Sequence, residues 1–341
     1  MLPLATVTML AGVLLAGAWA TPGALAQTDA LPSSVRMGSL CLYAGTVPAR
    51  TPAGTTTDHV LVTADGVQRT YRLFVPEGLR GRAPLLVALH GGLGSGRQFE
   101  ANSGYDDLAT SNGFIVAYPD GVARFPDGTG GARTWNAGAC CGPAAERGVD
   151  DVAFLRAVVA DIARSHRVDR DRVYAAGHSN GGMMALRLAC EASDVFAAVG
   201  AQSASLEFPA CDVDGRRAVS SMQIHGSADT NVPIGGGRGS GISGVSFSPP
   251  RSAARTLASL NGCRASVART RDADNRDLIL TRWRGCPPGI GVQFLEVKGA
   301  GHAWMGHPSQ SSVAERYMGP PYPHLDSSRA LWAFLAAHHR A

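Results

Sequence analysis

No Lys, Arg, Asp or Glu occurs in the first 26 residues, which instead carry an apolar run from Met9 to Ala20 and end in Ala24-Leu25-Ala26 before Gln27. That is the pattern of a secretory signal cleaved after residue 26. The Lys or Arg that ordinarily precedes the apolar run is missing, which leaves a retained anchor as the alternative. No later stretch is long and apolar enough to cross a bilayer, so no stable membrane association is expected. C-x-x-C pairs are absent, which disfavours zinc. The net charge is only +4 and scattered, giving no basis for nucleic-acid binding. The sequence has no internal repeat. Its glycine-rich stretch 235–244 is followed by no strand-to-helix G-K-S/T, which excludes a phosphate-binding loop and leaves a mobile surface loop.

Three parts are therefore expected: a signal at 1–26, a loosely ordered Thr-, Pro- and Gly-rich lead-in at 27–56, and one large α/β domain at 57–341. All seven cysteines, Cys41, Cys140, Cys141, Cys190, Cys211, Cys263 and Cys286, follow the proposed cleavage point. In a secreted chain they suggest disulfides, with an odd one left over. Proximity favours Cys190 with Cys211 and Cys263 with Cys286. Adjacent Cys140 and Cys141 lie closer than usual disulfide spans, so a strained bond between them and a bond from one of them to Cys41 both stay open.

What is present centres on Gly177-His178-Ser179-Asn180-Gly181. In a chain with 42 glycines among 341 residues, G-x-S-x-G alone is a weak signal. Its surroundings strengthen it. Arg172 to Gly177 reads as a short buried strand, and Met183, Met184, Leu186, Leu188 and Ala189 read as an apolar helix. A serine between them sits on a nucleophile elbow, at the strand end where open α/β sheets bind ligands.

A nucleophilic hydroxyl needs a base, and the base needs an acid to fix its tautomer. In this architecture the chain order is Ser, Asp or Glu, His, each following a strand. Strand-like Met222 to Gly226 leads to Asp229; Val292 to Val297 leads to His302 beyond Gly299-Ala300-Gly301. His307 competes but lies further into a Pro- and Ser-rich loop, while His90, His178 and His225 suit structural roles. Upstream, the buried run Pro84 to Leu89 ends in His90-Gly91-Gly92, a turn able to supply one oxyanion donor from the Gly92 N–H. The other donor is the N–H of Asn180, whose contribution is expected through its main chain alone. Asp150 and Asp151 read as N-cap and first-turn carboxylates of a helix over 152–163.

Taken as a set, Gly177 to Met184, Arg133 to Gly142, Val149 to Val152, His225 to Pro233 and Gly299 to Trp304 resemble the secreted polyhydroxybutyrate depolymerase and feruloyl esterase family of α/β-hydrolases. The resemblance covers about Thr57 to Ala341. It implies a mostly parallel central sheet flanked by helices, Ser179, Asp229 and His302 as the triad, and no metal or organic cofactor. It further implies an ester substrate, either plant cell-wall feruloyl and acetylxylan esters or short hydroxyalkanoates. Relatives that attack solid polyester usually carry a linker and a polymer-binding domain. The sequence contains neither, which favours a feruloyl or acetylxylan esterase, with polyhydroxybutyrate depolymerase or oligomer hydrolase as the alternative; a monomer is expected. A binding protein on a hydrolase scaffold is a third reading, opposed by the intact Ser-Asp-His order. Trp135 and Trp304 are candidate walls for an aromatic or sugar-bearing group, since exposed indoles stack on such rings.

Overall fold

The structure, a computed structural model, describes residues 34–37, 40–43 and 52–340 apart from 65, 126–131, 212–213, 242 and 310–311. The predicted signal at 1–26 and the side chain of Cys41 lie outside the described residues. Strands β1 (Ser34–Met37) and β2 (Leu40–Tyr43) pair as a hairpin. Next come β3 (Gly54–Val62), β4 (Gln68–Pro76), β5 (Ala83–Leu89), α1 (Gly96–Ser103), α2 (Tyr105–Asn112) and β6 (Ile115–Pro119). The middle of the chain forms α3 (Gly142–Glu146), α4 (Asp151–Ser165), β7 (Val168–His178), α5 (Asn180–Glu191), β8 (Ala198–Gln202) and β9 (Ser220–Gly226). A short pair, β10 (Gly237–Arg238) and β11 (Ser246–Phe247), precedes α6 (Pro250–Leu260), β12 (Val267–Arg271), β13 (Leu278–Trp283), β14 (Val292–Val297), α7 (Ser312–Met318) and α8 (Ser327–Leu335).

Ten strands share one sheet in the order β12-β13-β14-β9-β8-β7-β5-β6-β4-β3. The strands from β14 to β6 run parallel, and antiparallel strands extend both edges. The sequence explains the division. Strands β5, β6, β8 and β9 are buried along their whole length, as expected of parallel strands covered on both faces, whereas β3 alternates between half-buried and exposed residues. Along β5, Leu85, Val87 and Leu89 join the core cluster that includes α4 and α5, while Leu86 and Ala88 join the cluster that includes α1, α2 and α8. The period of two thus splits one apolar run between two helical layers.

The chain passes from β5 to β6 on one side of it, then returns to β7 on the other. Such a reversal opens a crevice at the carboxyl ends of the two inner strands. Leu89 at the end of β5 pairs with Gly177 near the end of β7, so His90-Gly91-Gly92 and Ser179 leave the sheet side by side.

Several expectations change. Strand β3 begins at Gly54, inside the proposed lead-in, and its backbone pairs with β4 as far as Pro76. The stretch 235–244, expected as a mobile loop, is tied down: Gly237 and Arg238 pair with β11, and the Ser240 N–H donates to the Thr230 carbonyl at 2.7 Å. A Cβ at Gly239 would stand 1.9 Å from the Asn231 carbonyl oxygen, so this approach requires glycine. Disulfides join Cys190 to Cys211 and Cys263 to Cys286 as expected, and Cys140 is bonded to Cys141 rather than to Cys41.

Candidate active site

Ser179 has φ 52° and ψ −121°, a backbone conformation that side chains other than glycine rarely adopt. Its neighbours explain how the turn closes. A Cβ on Gly177 would meet the Gly181 carbonyl at 2.4 Å, and one on Gly181 would meet the carbonyl oxygens of Leu89 and His90 at 2.3 Å. The glycines therefore let β7, α5 and the end of β5 touch backbone to backbone, and the serine is held at the start of α5.

Asp229 and His302 reach the same point from β9 and β14, which are paired parallel strands. His302 Nε2 lies 2.9 Å from Ser179 Oγ, and its Nδ1 lies 2.8 Å from Asp229 Oδ2. The other carboxylate oxygen, Oδ1, accepts from the N–H groups of Asn231 and Val232, each at 2.9 Å. Burial alone would raise the Asp229 carboxyl pKa. The His302 imidazole and its hydrogen bond, His225 and the Val232 N–H outweigh burial and hold it below the ordinary carboxylate range. An ionised Asp229 takes the Nδ1 proton as its hydrogen bond, which leaves Nε2 as the acceptor facing the serine. His307, the competing candidate, pairs instead with Asp326, the N-cap of α8, at 3.2 Å.

On the other side of the serine, the Cβ position of Gly92 lies 3.6 Å from that of Asn180. Among the described residues neither backbone N–H is engaged in a hydrogen bond. The Asn180 side chain does more than the sequence suggested. Its Oδ1 accepts from the Trp135 N–H at 2.7 Å, and its Nδ2 donates to the Trp135 carbonyl at 2.9 Å. The Trp135 indole in turn donates to the His90 carbonyl at 2.9 Å, bracing the turn that carries Gly92. His90 Nε2 accepts from the Gly121 N–H at 2.9 Å, so its Nδ1 donates to the Gly91 carbonyl at 2.7 Å. Complete burial lowers the His90 pKa to about 4, keeping it neutral in that role.

The tryptophans are not walls of an open cleft. Trp135 is fully buried under the His90 turn. Trp304 is 7% exposed, packs edge-on against Phe99, and donates to Ser328 Oγ at 3.0 Å. Burial with the indole N–H satisfied is a core arrangement. Asp150 caps α4 through the Ala153 N–H as expected, whereas Asp151 turns inward, fully buried, to meet Arg69 at 2.7 Å and the Asn136 N–H at 2.8 Å.

Two further residues hold the imidazole in place. His178 Nε2 donates to the His302 carbonyl, and burial, with the His302 charge adding to it, lowers the His178 pKa to about 3. Gln202, at the end of β8, donates to the Ala303 carbonyl at 2.8 Å and accepts from the Met305 N–H at 3.2 Å. The signal in the sequence was a polar residue closing each of two apolar strands.

A mostly parallel sheet carrying a Ser–His–Asp chain at the carboxyl ends of its strands defines an α/β-hydrolase. Residues 69–234 match the family described as esterase PHB depolymerase. The chain is 33% identical over 276 residues to NocK, an inferred esterase of Nocardia uniformis subsp. tsuyamanensis, covering 76% of this chain and 77% of NocK. It is 32% identical over 237 residues to Feruloyl esterase B of Piromyces equi, covering 67% of this chain but 41% of that protein. An acetyl xylan esterase from Aspergillus awamori has the same fold, with a TM-score of 0.53 at 17% identity over 76% of this chain and 98% of that one. The chain belongs to the esterase PHB depolymerase family.

Proposed function

We propose that this protein is a secreted serine carboxylic ester hydrolase working through an acyl-enzyme on Ser179. Ser179 Oγ attacks the ester carbonyl carbon while its proton passes to His302 Nε2. Asp229 stabilises the resulting imidazolium, and the N–H groups of Gly92 and Asn180 receive the developing oxyanion. As the tetrahedral species collapses, the bond to the alcohol oxygen breaks and His302 returns the proton to that oxygen. Water then attacks the acyl carbon, gives a proton to His302, and displaces Oγ, which recovers its hydrogen as the carboxylic acid leaves. The 2.9 Å approach of His302 Nε2 to Ser179 Oγ carries this reading.

Feruloyl or acetylxylan esters are the proposed substrates, supported by the kinship with Feruloyl esterase B. Hydroxyalkanoate esters are the second reading, supported by the family description. Secretion is supported by the uncharged apolar start and by three disulfides, bonds that persist in oxidising compartments. A monomer is the proposed working form. Acid release from methyl ferulate, acetylated xylan and polyhydroxybutyrate particles separates the substrate readings. Failure to turn over any of them, and p-nitrophenyl acetate as well, contradicts the proposed activity.

A further inference from the structure

A cavity of about 310 Å³ is lined in part by His302, and its lining includes neither Gly92 nor Asn180. Its walls include Ala228 and Thr230, which flank Asp229, together with Arg316, Tyr317 and Pro320. The volume falls at the lower end of small-ligand clefts, about 300–1,000 Å³. Gly299 and Gly301 contribute backbone without side chains to its lining.

Residues that line this cavity are hydrogen-bonded to the loops carrying Asp229 and His302. The Met318 carbonyl accepts from the N–H groups of His302 and Ala303 at 3.0 and 3.2 Å. Asn231 Nδ2 donates to the Tyr317 carbonyl at 2.8 Å. Tyr317 is nonetheless 61% exposed, an aromatic ring held by its backbone and left open to solvent. Arg316 beside it is exposed and makes no ion pair among the described residues. A guanidinium without a carboxylate, next to an uncovered ring, makes a site able to take an anion attached to an apolar or ring-shaped body.

Chemistry assigns the contents. His302 must return its proton to the alcohol oxygen, so the departing alcohol lies over the imidazole, while the carbonyl oxygen points to Gly92 and Asn180. His302 is the residue that this position shares with the lining of the cavity. We propose that this cavity is the subsite for the alcohol portion of the ester, and that Arg316 selects alcohols bearing a carboxylate, with Tyr317 lying against their carbon skeleton. Two sources share that chemistry: the free-acid end of a hydroxyalkanoate oligomer and a uronosyl sugar. The assignment rests on the esterase reading above.

The test compares kcat/KM within matched pairs of esters. One pair is the dimer of 3-hydroxybutyrate as the free acid and as its methyl ester; the other is an O-acetylated methyl glucuronide and the corresponding methyl glucoside. The native chain is expected to favour the free acid by about tenfold in at least one pair, and the pair concerned identifies the source. In Arg316→Ala the acid-to-neutral ratio is expected to fall to about one, and in Arg316→Glu below one, because like charge then repels the acid. Using the ratio within each variant removes any general loss from misfolding. No preference in either pair, or a preference that survives both substitutions, overturns the subsite while hydrolysis of p-nitrophenyl acetate leaves the esterase reading intact. Absence of that hydrolysis in the native chain overturns both.

Discussion

His178 meets His302 twice: its Nε2 lies 2.7 Å from the His302 carbonyl oxygen, and the two imidazole rings lie 5.0 Å apart, centroid to centroid. The residue before the proposed nucleophile thus holds the backbone of the proposed base, tying the elbow to the His loop. His178→Ala leaves that buried carbonyl unpaired, which costs about 1–3 kcal/mol. If the imbalance falls on the transition state, kcat drops about tenfold with KM nearly unchanged. Steady-state kinetics beside a thermal melt checks this. A fall in melting temperature with full kcat would assign His178 to stability alone.

Asn180 invites a second substitution. The sequence suggested that only its main chain matters, in which case Asn180→Ala would be mild. The two hydrogen bonds to the Trp135 backbone predict otherwise. Losing both leaves the buried Trp135 N–H without a partner, while the Trp135 carbonyl keeps the Cys141 N–H at 3.2 Å; the expected loss is about 1–3 kcal/mol in stability, and the turn that carries Gly92 is less firmly braced. Urea titration measures the first effect and kcat/KM on p-nitrophenyl acetate the second. An unchanged midpoint would contradict the bracing role.

Leu93, immediately after the proposed donor Gly92, has φ 68° and is 52% exposed. A left-handed conformation costs a residue of this kind about 1–2 kcal/mol, and asparagine tolerates it better. Leu93→Asn is therefore expected to raise the melting temperature by about 2–4 °C, corresponding to about 1 kcal/mol. Calorimetry checks the sign, and a lower melting temperature would mean that the leucine side chain makes stabilising contacts.

Asp106 supplies a pH dependence. Burial, with Glu100 and Asp107 adding to it against the Tyr118 hydroxyl and Arg72, raises its pKa from 3.8 to about 7. Between those values the folded chain holds a proton that the unfolded chain releases, so this group's contribution to stability is lost as pH rises from about 4 to 7. Asp106→Asn keeps an acceptor for Tyr118, whose hydroxyl donates to Asp106 at 2.6 Å, and removes the titration. The variant is expected to melt higher than the native chain at pH 8 and nearly level with it at pH 4, with an intermediate gap at pH 5. An equal gap at pH 8 and pH 4 would contradict the assignment.

Much of this arrangement was legible in the sequence, for identifiable reasons. Close backbone approaches leave a glycine signature, which is why Gly177, Gly181 and Gly91-Gly92 pointed to the crevice before any coordinates. Ser179, Asp229 and His302 each follow an apolar run long enough to read as a strand, so their order along the chain could be searched. The fates of Trp135 and Trp304 could not be read this way, because burial of an indole depends on which distant acceptor meets its N–H, here His90 and Ser328. Strand β12, with the sequence Val267-Ala-Arg-Thr-Arg271, escaped notice because an exposed edge carries charge where a core strand carries apolar side chains. The cavity beside His302 was equally hidden. It is built from α7, whose tie to the His loop is made by the Met318 carbonyl, a group that every residue type provides.

Stoichiometric labelling of the serine bears hardest on the proposed chemistry. Treatment with an organophosphate such as paraoxon, followed by peptide mapping by mass spectrometry, should place one phosphoryl group per chain on Ser179, with esterase activity lost in proportion to labelling; Ser179→Ala should take up none. Activity that survives full modification of Ser179, or that disappears with the label on a different residue, would contradict the acyl-enzyme mechanism.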